Sequence, residues 1–70
     1  MMQLGSSIVK AIRKKLEGEI ETHKVNIQIM LENTVGIANH PNVIETIEDK
    51  LSIMAACEDK ILVLEKYFEV

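Results

Sequence analysis

The sequence predicts an all-α fold, an antiparallel two-helix hairpin that dimerises into a four-helix bundle. Two observations predict the helices: apolar residues recur every three or four positions in both halves of the chain, and no strand-like alternation is present. A third observation predicts the dimer, because each helix carries apolar residues on a second side that a lone hairpin leaves in water. Residues 1–70 are expected to form a single helical-hairpin domain.

The first helix is predicted at about residues 7–33. Its main apolar stripe consists of Val9, Ile12, Leu16, Ile20, Ile27, Met30 and Leu31. Most charged residues of this segment fall on the opposite side. Ser6 or Ser7 is expected to cap the amino end, because a serine hydroxyl accepts hydrogen bonds from the free amides of a first helical turn.

A connecting loop is predicted at about residues 34–41. Gly36 follows the end of the first apolar pattern and suits the backbone conformation that terminates helices. Pro41 suits the first turn of a helix, because an amide hydrogen at that position would have no acceptor within the helix and proline has none. A connection this short makes the two helices antiparallel neighbours.

The second helix is predicted at about residues 42–68. Its main apolar stripe consists of Ile44, Ile47, Leu51, Met54, Cys57, Ile61, Leu64 and Phe68. Asn42, followed three residues later by Glu45, is an asparagine variant of the capping box. Asn39 and His40 are the alternative caps, with Pro41 then opening the helix.

A second apolar side on each helix predicts that the hairpin associates with itself. The residues expected at this oligomer interface are Val25, Ile29, Ile53, Ala56, Val63 and Tyr67. Two paired hairpins form a four-helix bundle that covers these side chains. The partner that we expect is therefore a second copy of the chain, and an unidentified protein on the same faces is the rival interpretation.

The turn also predicts which residues face each other. If the chain reverses near Ile37, facing residues have numbers that add to about 75. This register places His23 near Leu51 and predicts an ion pair between Lys15 and Glu58.

No catalytic, cofactor-binding or metal site is predicted, and we expect no enzymatic activity. Cys57 is the only cysteine, which rules out a disulfide within the chain, and its apolar neighbours indicate a core residue. His23 lies on the main stripe one turn after Glu19, yet the Glu-x-x-His spacing of di-metal bundles is missing. A structural histidine is the preferred interpretation of His23, and a loop or cap residue that of His40.

The charge pattern leaves one alternative function open. The net charge of the chain is −3, whereas proteins that bind nucleic acids neutralise the phosphates with an excess of basic residues. However, a basic patch at one end of the first helix is a candidate anion contact, formed by Lys10, Arg13, Lys14 and Lys15. The alternative is accordingly a small regulatory nucleic-acid-binding protein that uses this patch.

Residues 35–68 read VGIANHPNVIETIEDKLSIMAACEDKILVLEKYF. The run from Gly36 to Asn42, the Ile44-Glu45-x-Ile47-Glu48 that follows and the closing LEKYF carry a resemblance. The segment resembles the second half of short, uncharacterised helical proteins of marine tailed phages and ocean metagenomes. The resemblance implies a small helical protein of viral origin and assigns no catalytic residue.

These observations together predict a small non-enzymatic interaction or assembly protein that acts as a homo-oligomeric helical bundle. No apolar run approaches the roughly 18 residues of a membrane span, so no membrane association is expected. The free thiol and the lack of a signal-peptide pattern lead us to expect the cytoplasm, or the host-cell cytoplasm if the chain is viral.

Overall fold

The structure is a computed structural model that describes residues 4–33 and 42–68. Helix α1 spans Leu4–Glu32, helix α2 spans Val43–Tyr67, and the two pack side by side. No strand occurs within these two ranges, which confirms the predicted all-α helical hairpin. The loop predicted at about residues 34–41 lies outside the described residues, as do the roles proposed for Gly36, Asn39, His40 and Pro41.

The helices meet along a seam whose members recur at alternating intervals of four and three residues. On α1 the seam consists of Val9, Arg13, Leu16, Ile20, His23, Ile27 and Met30, and on α2 of Val43, Ile47, Lys50, Met54, Cys57, Ile61 and Leu64. All fourteen are buried or half-buried, and the four most buried are Leu16, Ile27, Cys57 and Leu64. This spacing is typical of helices that pack at a shallow crossing angle.

Two contacts across the seam fix its direction and register. The Arg13 guanidinium lies 3.2 Å from the Glu65 carboxylate, and the Cys57 thiol lies 3.2 Å from the Glu19 carboxylate. From the first contact to the second, the residue number rises from 13 to 19 on α1 and falls from 65 to 57 on α2, so the helices are antiparallel. Facing residues have numbers that add to about 77, about two more than predicted. Arg13–Glu65 therefore takes the place of the ion pair predicted between Lys15 and Glu58.

The predicted apolar stripes are correct along most of the seam and wrong at five positions. The stripe residues that the structure leaves exposed are Ile12, Leu31, Ile44, Leu51 and Phe68. On α2 the seam instead takes Val43 and Lys50, each one position before the predicted residue. Lys50 fits because its aliphatic stem can lie along the seam while its ammonium group reaches water.

The helix ends differ from the sequence expectation in how they are capped. Helix α1 begins before Ser6 and Ser7, which lie inside it, so the predicted serine cap is wrong. Asn42 does precede α2, but its side chain makes no capping hydrogen bond, so the predicted capping box does not form. Instead its carbonyl oxygen accepts hydrogen bonds from the Thr46 amide and from Thr46 Oγ1, each at 3.0 Å.

The hairpin is a long, thin body that extends 56 × 18 × 12 Å. Its radius of gyration is 16.3 Å, whereas a compact domain of this length has about 11 Å. A body one helix deep has a single seam and no enclosed interior. Neither helix is long and apolar enough to cross a membrane, for the residues that the structure describes.

Candidate interaction surface

A large share of the apolar side chains lies on the outside of the hairpin. Thirteen large apolar residues in the described ranges keep between 41% and 70% of their surface exposed. They are Leu4, Ile8, Ile12, Val25, Ile29, Leu31, Ile44, Leu51, Ile53, Leu62, Val63, Tyr67 and Phe68. The largest apolar patch on a typical monomer covers only about 300–600 Å² and often marks a binding site.

All six residues predicted at an oligomer interface lie outside the seam and are exposed. Val25 and Ile29 lie one turn apart on α1. The other four form one line along α2: Ile53, Ala56, Val63 and Tyr67. The structure thus brings the α2 members together as one continuous line.

That line belongs to a longer row of exposed residues, which we call the lateral stripe. Its members are Thr46, Asp49, Ile53, Ala56, Lys60, Val63 and Tyr67. They recur at alternating intervals of three and four residues, the spacing that the seam also has. At 3.6 residues per turn, the lateral stripe lies roughly 100° around α2 from the seam. It contains one acidic and one basic residue.

The other flank of α2 carries a second exposed row, which we call the glutamate stripe. Its members are Ile44, Glu48, Leu51, Ala55, Glu58, Leu62 and Glu65. Three of its seven members are glutamates and none is basic. Glu65 is the glutamate that pairs with Arg13. The two flanks of α2 are therefore similarly apolar but differ in charge.

The four residues of the predicted basic patch do not form one cluster. Arg13 lies in the seam, where its side chain is 26% exposed and paired with Glu65. Lys10 and Lys14 are exposed on one side of α1, and Lys15 is exposed about 100° away from Lys14. This arrangement leaves two neighbouring lysines and a third about 100° away in place of one four-residue patch, which gives the nucleic-acid alternative little support.

Cys57 and Glu19 form a polar contact inside the seam that the sequence interpretation missed. The buried Cys57 thiol donates a hydrogen bond to Glu19 Oε2 at 3.2 Å. This hydrogen bond, burial and the Glu19 charge all raise the pKa of Cys57, while the Lys60 charge acts to lower it. A thiol held in its protonated form is a poor nucleophile, which agrees with the predicted core role. The predicted register already brought residues 19 and 57 close together.

His23 lies half-buried in the seam, in the turn that follows Glu19. Its Nδ1 atom is buried and has no hydrogen-bond partner in the structure. In the described ranges, no group of three or more His, Cys, Asp or Glu residues is arranged to hold a metal ion. The carboxylate one helical turn before it, Glu19, is engaged with Cys57.

Comparisons of the chain with protein-family models, with curated proteins and with solved structures find no match.

Proposed function

We propose that this chain is a non-enzymatic interaction or assembly protein that works as a homodimeric four-helix bundle. The observation that supports the proposal most directly is that, among the residues that the structure describes, thirteen large apolar residues are exposed and only four residues are buried. Burial of apolar surface is the main favourable term in association. The exposed side chains supply that term when a second hairpin covers them.

The exposed apolar area is large enough for a stable dimer. Ile44, Leu51 and Leu62 lie on the glutamate stripe, outside the proposed interface. The other ten exposed large apolar residues amount to an area on the order of 800 Å², which is about the area that each partner buries in a standard interface. Small domains without disulfides or metals commonly gain their stability from oligomerisation. Cys57, the only cysteine, is free, so no disulfide within the chain contributes here.

A second copy of the chain suits this surface better than an unrelated partner. The interface residues occur on both helices, so a second copy of the hairpin can offer the same surface in return around a two-fold axis. Bundles formed in this way have antiparallel neighbours, as α1 and α2 already are. Most charged residues, among them the glutamates of the glutamate stripe, then remain on the outside, where a further protein can bind.

The biological setting is part of the same proposal. The resemblance of residues 35–68 to proteins of marine tailed phages supports a viral origin. We propose that the dimer is a phage accessory protein that acts in the host-cell cytoplasm on a host or viral protein.

Sedimentation equilibrium over a range of concentrations tests the dimer directly. We expect a species of twice the 7.9 kDa chain mass. Ile53→Glu and Val63→Glu are expected to lower both the mass and the melting temperature, because they place a charge where the second copy packs. The matched control is Leu62→Glu, which adjoins Val63 but lies on the glutamate stripe, and it should keep the dimer mass.

Two results contradict the proposal. One is a wild-type chain that stays monomeric at every concentration. The other is an Ile53→Glu or Val63→Glu variant that keeps the wild-type dimer mass, since the face that carries these residues is then not the interface. A variant that becomes monomeric yet keeps full helicity and the wild-type melting temperature would contradict only the claim that this face is structurally required.

A further inference from the structure

We infer that α2 packs against α2 of the second copy in antiparallel orientation, with Asp49 of each chain facing Lys60 of the other. The inference rests on the proposed homodimer and specifies which surface forms its centre. It comes from the charges and the spacing of the lateral stripe, Thr46 to Tyr67.

The spacing of the lateral stripe suits a second helix. Its members alternate at intervals of three and four residues, which presents a straight row to a helix that crosses at a shallow angle. The stripe lies roughly 100° around α2 from the seam. In a four-helix bundle with a square cross-section, each helix meets its two neighbours in directions about a right angle apart. The seam and the lateral stripe supply these two directions.

The order of residues along the stripe makes it complementary to itself when reversed. A two-fold axis near Met54 and Ala55 relates the stripes of the two copies, so every facing pair of residues occurs twice in the dimer. The facing pairs are Thr46 with Val63, Asp49 with Lys60, and Ile53 with Ala56. The two charges of the stripe meet with opposite sign, and the large Ile53 meets the small Ala56. Complementary charges of this kind set register and exclude other arrangements.

Other arrangements of the same stripe lack this match. A shift of one heptad in one direction places Asp49 against Tyr67 and Lys60 against Ala56, and a shift in the other places Asp49 against Ile53. A parallel pairing places each charge against its own copy, which is repulsive at both positions.

The glutamate stripe cannot form the same kind of pair. Its apolar residues are as exposed as those of the lateral stripe, at 70% for Ile44 and 51% for Leu51. When this stripe is reversed against itself, the register that joins Leu51 to Ala55 places Glu48 against Glu58. The next register along places Glu48 against Glu65. With no basic residue in the row, charge repulsion opposes both registers.

Charge reversal on the full-length chain tests the inference, with sedimentation at low ionic strength as the measurement. Asp49→Lys and Lys60→Asp each replace two attractive contacts with two repulsive ones, so each alone should weaken dimerisation about 10-fold. A 1:1 mixture of the two variants should form a heterodimer of wild-type affinity, because both of its charge contacts are attractive again. The double variant should also regain the wild-type affinity.

Glu58→Lys is the matched control, since it reverses a charge on the other flank of the same helix and should leave the dimer unchanged. Helicity of each variant is measured by circular dichroism, and we expect it to be retained because Asp49 and Lys60 are exposed. A wild-type chain that never dimerises contradicts the proposed function itself. A dimeric wild type whose single variants dimerise equally well, or whose mixture shows no recovery, overturns only the α2 pairing.

Discussion

The Cys57 thiol donates a hydrogen bond to Glu19 Oε2 across the seam, with 3.2 Å between the two heavy atoms. This contact joins α2 to α1 near the middle of both helices. Ionisation of the thiol removes its only hydrogen and brings a second negative charge beside the carboxylate. The hydrogen bond, burial and the charge of Glu19 all act in the same direction, so the pKa of Cys57 lies above its ordinary value of 9.0.

Replacement of Glu19 with glutamine should lower the pKa of Cys57 and make the thiol react at lower pH. Glu19→Gln removes the negative charge that opposes the thiolate while it keeps a side chain of similar size. The measurement is the rate of alkylation by iodoacetamide as a function of pH. Glu17→Gln, on the exposed side of α1, is the control and should leave the profile unchanged. An unshifted profile for Glu19→Gln would show that the carboxylate does not act on the thiol.

Truncation of a seam leucine should cost far more stability than truncation of an outer one. Leu16 is 7% exposed and Leu62 is 62% exposed. Leu16→Ala leaves a cavity in the seam and should lower the free energy of unfolding by about 2–3 kcal/mol. Leu62→Ala should change it by less than about 0.5 kcal/mol. Urea denaturation followed by circular dichroism measures both, and equal losses would contradict the assigned seam.

Replacement of His23 with leucine should stabilise the hairpin. The buried Nδ1 of His23 has no hydrogen-bond partner in the structure, so its desolvation is not compensated. His23→Leu fills the same place opposite Met54 with apolar atoms and should raise the free energy of unfolding by about 1 kcal/mol. His23→Gln is the control, because it keeps a polar group in the seam and should bring no gain. A loss of stability in His23→Leu would contradict this account of the imidazole.

The hairpin could be predicted from sequence because its pattern of apolar residues leaves few alternatives. Most of the α1 stripe and the core position of Cys57 were predicted correctly, although Ile12 and Leu31 are exposed. The seam of α2 was harder, because apolar residues occur on three lines around that helix. Ile44 and Leu51 are more apolar than Lys50, yet they lie outside the seam. Hydrophobicity alone cannot show which of two neighbouring lines faces α1, since that choice depends on both helices together.

The surface was predictable in outline and not in its polar contacts. All six predicted interface residues are exposed, although the sequence does not show what covers them. The basic patch looked continuous only along the chain, where Arg13 stands beside Lys14. In the structure Arg13 turns into the seam to meet Glu65, a residue on the other helix. The register was about two residues off, and such an error is enough to assign an ion pair to the wrong partners.

The depth of the hairpin, which is that of one helix, also affects how its sequence can diverge. The hairpin is 12 Å deep, about the diameter of a single helix with its side chains. The seam is the one packed layer described between its two broad sides, and each side is otherwise exposed. A substitution of an exposed residue on one side does not touch the residues of the opposite side. The two sides can therefore diverge independently, so that one keeps a fixed recognition surface while the other acquires new specificities.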